Sequence, residues 1–222
     1  MPSRRLLFVL AAVWAFPGWV VAAPVRAEFA GMWTSRPVRT VANWVVTSND
    51  NGRSAFFIID KRNARLFVFN ERGRLQGAAP VLLGLARGDD SAPGIGERPL
   101  AQIRPNERTT PAGRFVAERG RNAQGEDIVW VDYADAISLH RVRTLSPKEH
   151  RLERLRTPTP ADNRISYGCI NVPVAFYNRV VEQAWTSGGV VVYVLPEVKP
   201  LDQVFPRQRS FLNAAGLLRR VG

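Results

Sequence analysis

Two runs rich in β-branched and aromatic residues, 55–60 and 65–70, are separated by Lys61-Arg62-Asn63-Ala64, and this spacing predicts a hairpin. Asn70-Glu71-Arg72-Gly73 turns the chain again, and Val81-Leu82-Leu83 continues the meander. From 84 to 111 the hydrophobic period disappears into Gly, Pro, Arg and Asp, predicting a long surface loop that ends at Thr110-Pro111-Ala112-Gly113. Further strands are predicted at 114–118, 128–132 and 136–139. After Pro173, the apolar positions Phe176, Val180, Val181 and Ala184 follow a helical spacing that Gly188-Gly189 stops. The unbroken apolar run 190–195 reads as a central strand. Many short strands and one main helix predict a mainly β fold, an antiparallel sandwich or barrel-like sheet carrying that helix.

The remaining segments frame this unit. Residues 28–53 read as a lead-in, 54–196 as the domain, 141–164 as a basic insertion within it, and 197–222 as a tail in which Phe211-Leu212 and Leu217-Leu218 suggest a short helix. Within the insertion, Ser146-Pro147-Lys148-Glu149 is a candidate helix start. Residues 1–27 have the layout of a cleaved secretory signal: Arg4 and Arg5, an apolar run from Leu6 to Phe16 broken by Pro17, and Val25-Arg26-Ala27 before the cut. Cleavage after Ala23 is the alternative. The apolar run is short for a membrane span, so no stable span is expected once the signal is removed, and the product is expected in the periplasm or cell wall.

Charge narrows the partners. The chain carries +12, and loss of Arg4, Arg5 and Arg26 with no acid still leaves +9. Outside the cytoplasm such a surface meets wall and envelope polyanions. No zinc knuckle, helix-turn-helix or basic-aromatic alternation supports nucleic acid as a partner.

Only one cysteine is present, so an internal disulfide is excluded, and with two histidines scattered along the chain neither a metal site nor a cofactor is indicated. Cys169 lies in Ile165-Ser166-Tyr167-Gly168-Cys169-Ile170-Asn171, at a junction between an extended approach and the helix at Pro173. A free thiol with a pKa near 8.5 is only about 3% ionised at pH 7, so a reactive one needs a base or a cation beside it. His150 sits among Lys148, Glu149, Arg151 and Glu153 on a solvated face. His140 ends an apolar strand, where a ring is held rigidly, and is the better candidate base. On residues alone, a buried structural cysteine and a satisfied core histidine remain open alternatives.

The segment from Ile165 to Asn171 resembles the Ser-x-Gly-Cys motif of the L,D-transpeptidase catalytic domain family of bacterial cell-wall enzymes. Three further segments fall in that family's order: the hairpin from Phe57 to Phe69, Thr110-Pro111-Ala112-Gly113-Arg114-Phe115, and Ser138-Leu139-His140. The resemblance implies an antiparallel β-sandwich. In it Cys169 is the nucleophile, His140 its base and later acid, and Gly168 with the Cys169 amide part of an oxyanion-binding turn. Ser166, Tyr167 and Asn171 would support the loop. It further implies transfer of a tetrapeptide stem of peptidoglycan, through a thioester, to a stem amine or a lipoprotein lysine. A hydrolase cutting the same bond and a non-catalytic wall-binding module are the competing readings. This chain has Tyr167 where many members have a second histidine and Arg141 where many have glycine. Its longer 141–164 segment is expected to flank the cleft, with Arg141, Arg143 and Arg164 available for stem carboxylates.

Overall fold

The structure, a computed structural model, describes residues 26–208. The predicted signal up to residue 25 and the apolar pairs after residue 210 lie outside the described residues. Among the described residues, ten strands, mostly short α-helices and several 3-10 turns build a mainly β fold. The strands are β1 (Ala55–Asp60), β2 (Arg65–Phe69), β3 (Leu75–Pro80), β4 (Leu83–Gly84), β5 (Gly113–Arg121), β6 (Asp127–Asp132), β7 (Ile137–Arg141), β8 (Arg164–Ser166), β9 (Ile170–Val172) and β10 (Val190–Val194). Eight of them form one sheet in the order β3-β2-β1-β10-β5-β6-β7-β9, and β4 pairs with β8. Most neighbours are antiparallel, but β1/β10, β4/β8 and β7/β9 are parallel. Where the chain leaves β3, Leu82 and Asn171 exchange both backbone hydrogen bonds at 2.9 Å, so the two sheet edges meet and the sheet nearly closes on itself.

Burial on both faces explains why β1 up to Ile59, and all of β10, are unbroken apolar runs instead of alternating ones. Phe57, Ile59, Val192 and Val194 enter one core with Leu66, Val68, Val129, Leu139 and Ile170. Phe56, Ile58, Val191 and Tyr193 enter a second core, with Phe56 and Phe69 stacked at 4.7 Å.

That second core is covered by α1 (Arg36–Ser48), which the lead-in reading misses. Val38, Val41, Ala42 and Val45 do show helical spacing, but β-branched residues at 38, 40, 41, 45, 46 and 47 weigh against a helix on propensity, and packing decides. Ser35 caps the helix and also donates to buried Asp60 at 2.7 Å, and Asn49 closes it at φ 53°. Trp44 packs on Tyr193 and Phe205, so the start of the tail belongs to the same core, with α4 at Leu201–Val204.

After β9, α3 (Val174–Phe176) continues through a π turn at Tyr177–Val181 into a 3-10 stretch at Glu182–Ser187. The turn places both Tyr177 and Val181 in the first core, and the run stops at Gly188, φ 119°. Among the described residues no helix is long and apolar enough to cross a membrane.

Candidate active site

His140 and Cys169 are 29 positions apart, and the parallel pairing of β7 with β9 brings them together. Leu139 lies opposite Ile170 and His140 opposite Asn171. Alternation along β7 sends Leu139 into the core and leaves Ser138 and His140 on the other face. Cys169, partly buried, receives a hydrogen bond from Ser138 Oγ at 3.4 Å, and its sulfur lies 3.6 Å from the carbonyl of Ala136.

The histidine is oriented by its neighbour's backbone. His140 Nδ1 is 2.7 Å from the Arg141 carbonyl, and because a carbonyl only accepts, Nδ1 carries the proton and Nε2 is left basic. A side chain other than glycine at position 141 does not disturb this contact, since only the carbonyl is used. Burial alone pushes the Cys169 thiol up; the hydrogen bond and charge of His140, with hydrogen bonds from Ser138, outweigh it and hold the thiol below its ordinary range. The sequence places Ser138 in the Ser138-Leu139-His140 segment but assigns it no role, although its i, i+2 relation to His140 on a strand is the signal that places both on one face.

The turn before the sulfur is pinned from several sides. Ser166 is buried; its hydroxyl donates to the Cys169 carbonyl at 2.6 Å and accepts the Gly168 N–H at 3.1 Å. Gly168 therefore shapes the turn, and its own N–H is already taken. Asn171, also buried, donates to the Cys169 carbonyl at 3.2 Å and accepts from Arg151 at 2.7 Å. Tyr167 lies under the Arg108 guanidinium, 3.9 Å from its ring centre.

Gly168 has φ +134°, and a Cβ there would sit 2.7 Å from both Ile137 Cδ1 and the Thr109 carbonyl. The carbonyl belongs to backbone and cannot step aside. Gly168→Ala is expected to cost about 1–3 kcal/mol and to slow alkylation of Cys169 by iodoacetamide. Urea denaturation and a timed labelling assay read the two effects, and unchanged values in both would show that the turn yields.

The arginines expected to face substrate carboxylates are engaged by the protein itself. Arg141 binds Asp127 at 3.0 Å, Glu182 and Asn178, and stacks 4.2 Å over Tyr177. Arg164 makes a two-pronged pair with Glu197, at 3.0 and 2.6 Å, and its side chain is only 9% exposed. Arg143 reaches Gln124 and Glu126.

The insertion docks on the body instead of standing free. Leu155 packs with Leu82 and Val142, and α2 (Arg151–Arg154) sends Arg151 to Asn171. Ser146 makes no side-chain cap; Pro147 alone starts the 3-10 turn there.

Beneath the turn is a buried charge cluster. Lys61 Nζ, 1% exposed as a residue, binds Asp89 at 2.7 Å and the carbonyls of Gly88 and Thr110, with Glu197 at 3.8 Å. Asp89 also accepts from the backbone N–H groups of Glu197, Val198 and Lys199. Burial raises the Asp89 carboxyl, but Lys61 and these three donors bring it down to about 2. Among the described residues, no group of three or more His, Cys, Asp or Glu side chains could hold a metal ion.

No family model matches the chain, and neither does any curated protein. Among solved structures, it is similar to the helical cell shape determining protein Pgp2 of Campylobacter jejuni at 15% identity and a TM-score of 0.44, over 81% of this chain and 64% of that one. An L,D-transpeptidase of Enterococcus faecium aligns at 14% identity and TM-score 0.34, over 63% of this chain and 50% of that one. The catalytic domain of the E. faecium enzyme, solved by NMR, aligns at 16% identity and TM-score 0.31, over 64% and 98%. This chain thus spans less than two thirds of the first two proteins' lengths.

Proposed function

We propose that this protein is an extracytoplasmic L,D-transpeptidase of peptidoglycan that works through a cysteinyl thioester. The observation carrying the reading is geometric: β7 sets Ser138 and His140 on one face beside Cys169, with Ser138 Oγ 3.4 Å from its sulfur and the Nδ1–H of His140 fixed on the Arg141 carbonyl. Such a thiol and imidazole make a thiolate without any metal. The motif residues around it support the choice of substrate, and L,D-transpeptidase is also the activity named for the E. faecium neighbours.

In the first half-reaction, His140 Nε2 takes the Cys169 thiol proton and the sulfur attacks the carbonyl carbon between the L-centre and the terminal D-residue of a tetrapeptide stem. The tetrahedral intermediate collapses by breaking the C–N bond. His140 gives its Nε2 proton to the leaving D-alanine amine, and a thioester remains. In the second half-reaction, His140 takes a proton from an incoming amine, which attacks the thioester, forms the new amide and releases the thiol. The acceptor is a stem amine or a protein lysine, and water in its place gives a carboxypeptidase.

Incubation with purified tetrapeptide muropeptides tests this by mass spectrometry. Crosslinked dimers with loss of D-alanine are expected. Tripeptide alone assigns hydrolysis. Unchanged substrate with no adduct on Cys169, together with wall binding that survives Cys169→Ala, would replace the enzyme with a wall-binding module.

A further inference from the structure

Thr110 joins two segments of the site through one hydroxyl. Its Oγ1 accepts the Gly84 N–H at 2.9 Å and donates to the Gly168 carbonyl at 2.8 Å. The direction of the proton is not a choice: an N–H only donates and a carbonyl only accepts, so the single hydroxyl proton points at Gly168. Thr110 is 1% exposed, and its own carbonyl is held by Lys61 Nζ at 2.8 Å, so the residue is fixed at both ends. Gly84 approaches so closely that a Cβ on it would lie 2.3 Å from the Arg108 carbonyl and 2.8 Å from the Thr110 nitrogen.

The Gly168 carbonyl and the Cys169 N–H belong to one peptide unit. That unit is planar and trans, so the two bonds point in opposite directions. Holding the carbonyl toward Thr110 turns the Cys169 N–H away from it. Among the described residues, no acceptor takes that N–H, whereas the Gly168 N–H is occupied by Ser166. The free donor therefore sits on the nucleophile's own residue, where negative charge develops on an attacked carbonyl oxygen.

We infer that Thr110 is a positioning residue for oxyanion stabilisation: its hydroxyl sets the peptide plane that aims the Cys169 amide at the substrate oxygen. The inference rests on the acyl-enzyme reading above, but not on the identity of the acyl donor. It separates two reactions of the same sulfur. Alkylation by iodoacetamide displaces iodide and builds no oxyanion, whereas acylation does.

The test uses Thr110→Val, Thr110→Ser and the wild-type protein, with p-nitrophenyl acetate as acyl donor and iodoacetamide as alkylating agent. Thr110→Val should acylate about 10- to 100-fold more slowly, while its alkylation rate across pH stays within about twofold of wild type. Thr110→Ser should restore acylation. Acylation of Thr110→Val at the wild-type rate, a parallel fall in alkylation, or a serine variant as slow as the valine one would overturn the assignment. Where Thr110→Val does not fold, amide NMR of the wild type decides. Acetylation should move the Cys169 amide proton and leave that of Gly168 in place; an unmoved Cys169 resonance rejects the inference. Stem tetrapeptides left intact by a protein that the ester does acylate would sink the proposed substrate without touching the assignment of Thr110.

Discussion

Replacement of His140 by alanine is expected to lower the proposed turnover of stem peptides by about 10²- to 10⁴-fold and to move the ionisation of Cys169 upward in pH. The sign follows from the contacts. Burial raises the thiol, and His140 supplies the hydrogen bond and charge that more than offset it, with Ser138 adding a smaller contribution. With the imidazole gone, burial dominates. Alkylation by iodoacetamide, which reads the thiolate, is slow below the folded pKa and rises through it. That rise should therefore occur at higher pH in His140→Ala than in wild type. Ser138→Ala should move it in the same direction by less. A profile that stays in place in His140→Ala would mean that something other than the imidazole holds the sulfur, and the base assigned here would be wrong.

Lys61→Met is expected to destabilise the fold by about 3–5 kcal/mol, the usual consequence of removing one partner from a buried ion pair. In a domain of this size that lowers the melting temperature by roughly 10 °C. Methionine fills much of the space but leaves Asp89 without its cation and the Gly88 and Thr110 carbonyls without their donor. Arg164 donates to the Lys61 backbone carbonyl and to Glu197, so the damage reaches β8 and the turn that carries Cys169.

Acid sensitivity gives a second readout. A carboxyl depressed to about 2 contributes stability that is complete above its ordinary range and fades as the pH falls toward that value. Without Lys61 the Asp89 carboxyl of the folded protein titrates closer to its ordinary range, so this acid-dependent loss should shrink. Urea midpoints measured from neutral to acid pH check both effects, and a loss below about 1 kcal/mol would mean that water replaces the ammonium.

Several structural features were readable in the residue pattern because they depend on local chemistry. The runs 55–60, 65–70 and 190–195 hold β1, β2 and β10, and the expected loop, apart from Gly84 in β4, is indeed without regular strands or α-helix until β5. The helix after Pro173 is present in irregular form. Cys169 stood out because it is single, and His140 because a strand end holds a ring still. What the pattern did not contain was pairing. Nothing in residues 137–141 says that they lie parallel to 170–172, and nothing in α1 says which sheet face it covers. The arginines show the same limit from the electrostatic side. Arg141, Arg143 and Arg164 looked free for a ligand, but Asp127, Glu126 and Glu197 reach them first, and no spacing rule predicts a partner 33 residues away, as Glu197 is from Arg164.

The sequence by itself therefore determined the strand-rich character, the single thiol and the short choice of bases, since composition and alternation act over a few residues. The tertiary structure alone decided that the sheet is mixed and almost closed, that Ser138 and His140 share a face beside the sulfur, and that Thr110 grips the carbonyl before it. The physical reason is that hydrogen bonds and ion pairs between distant segments are selected by burial of both partners at once. That condition exists only after the chain has folded.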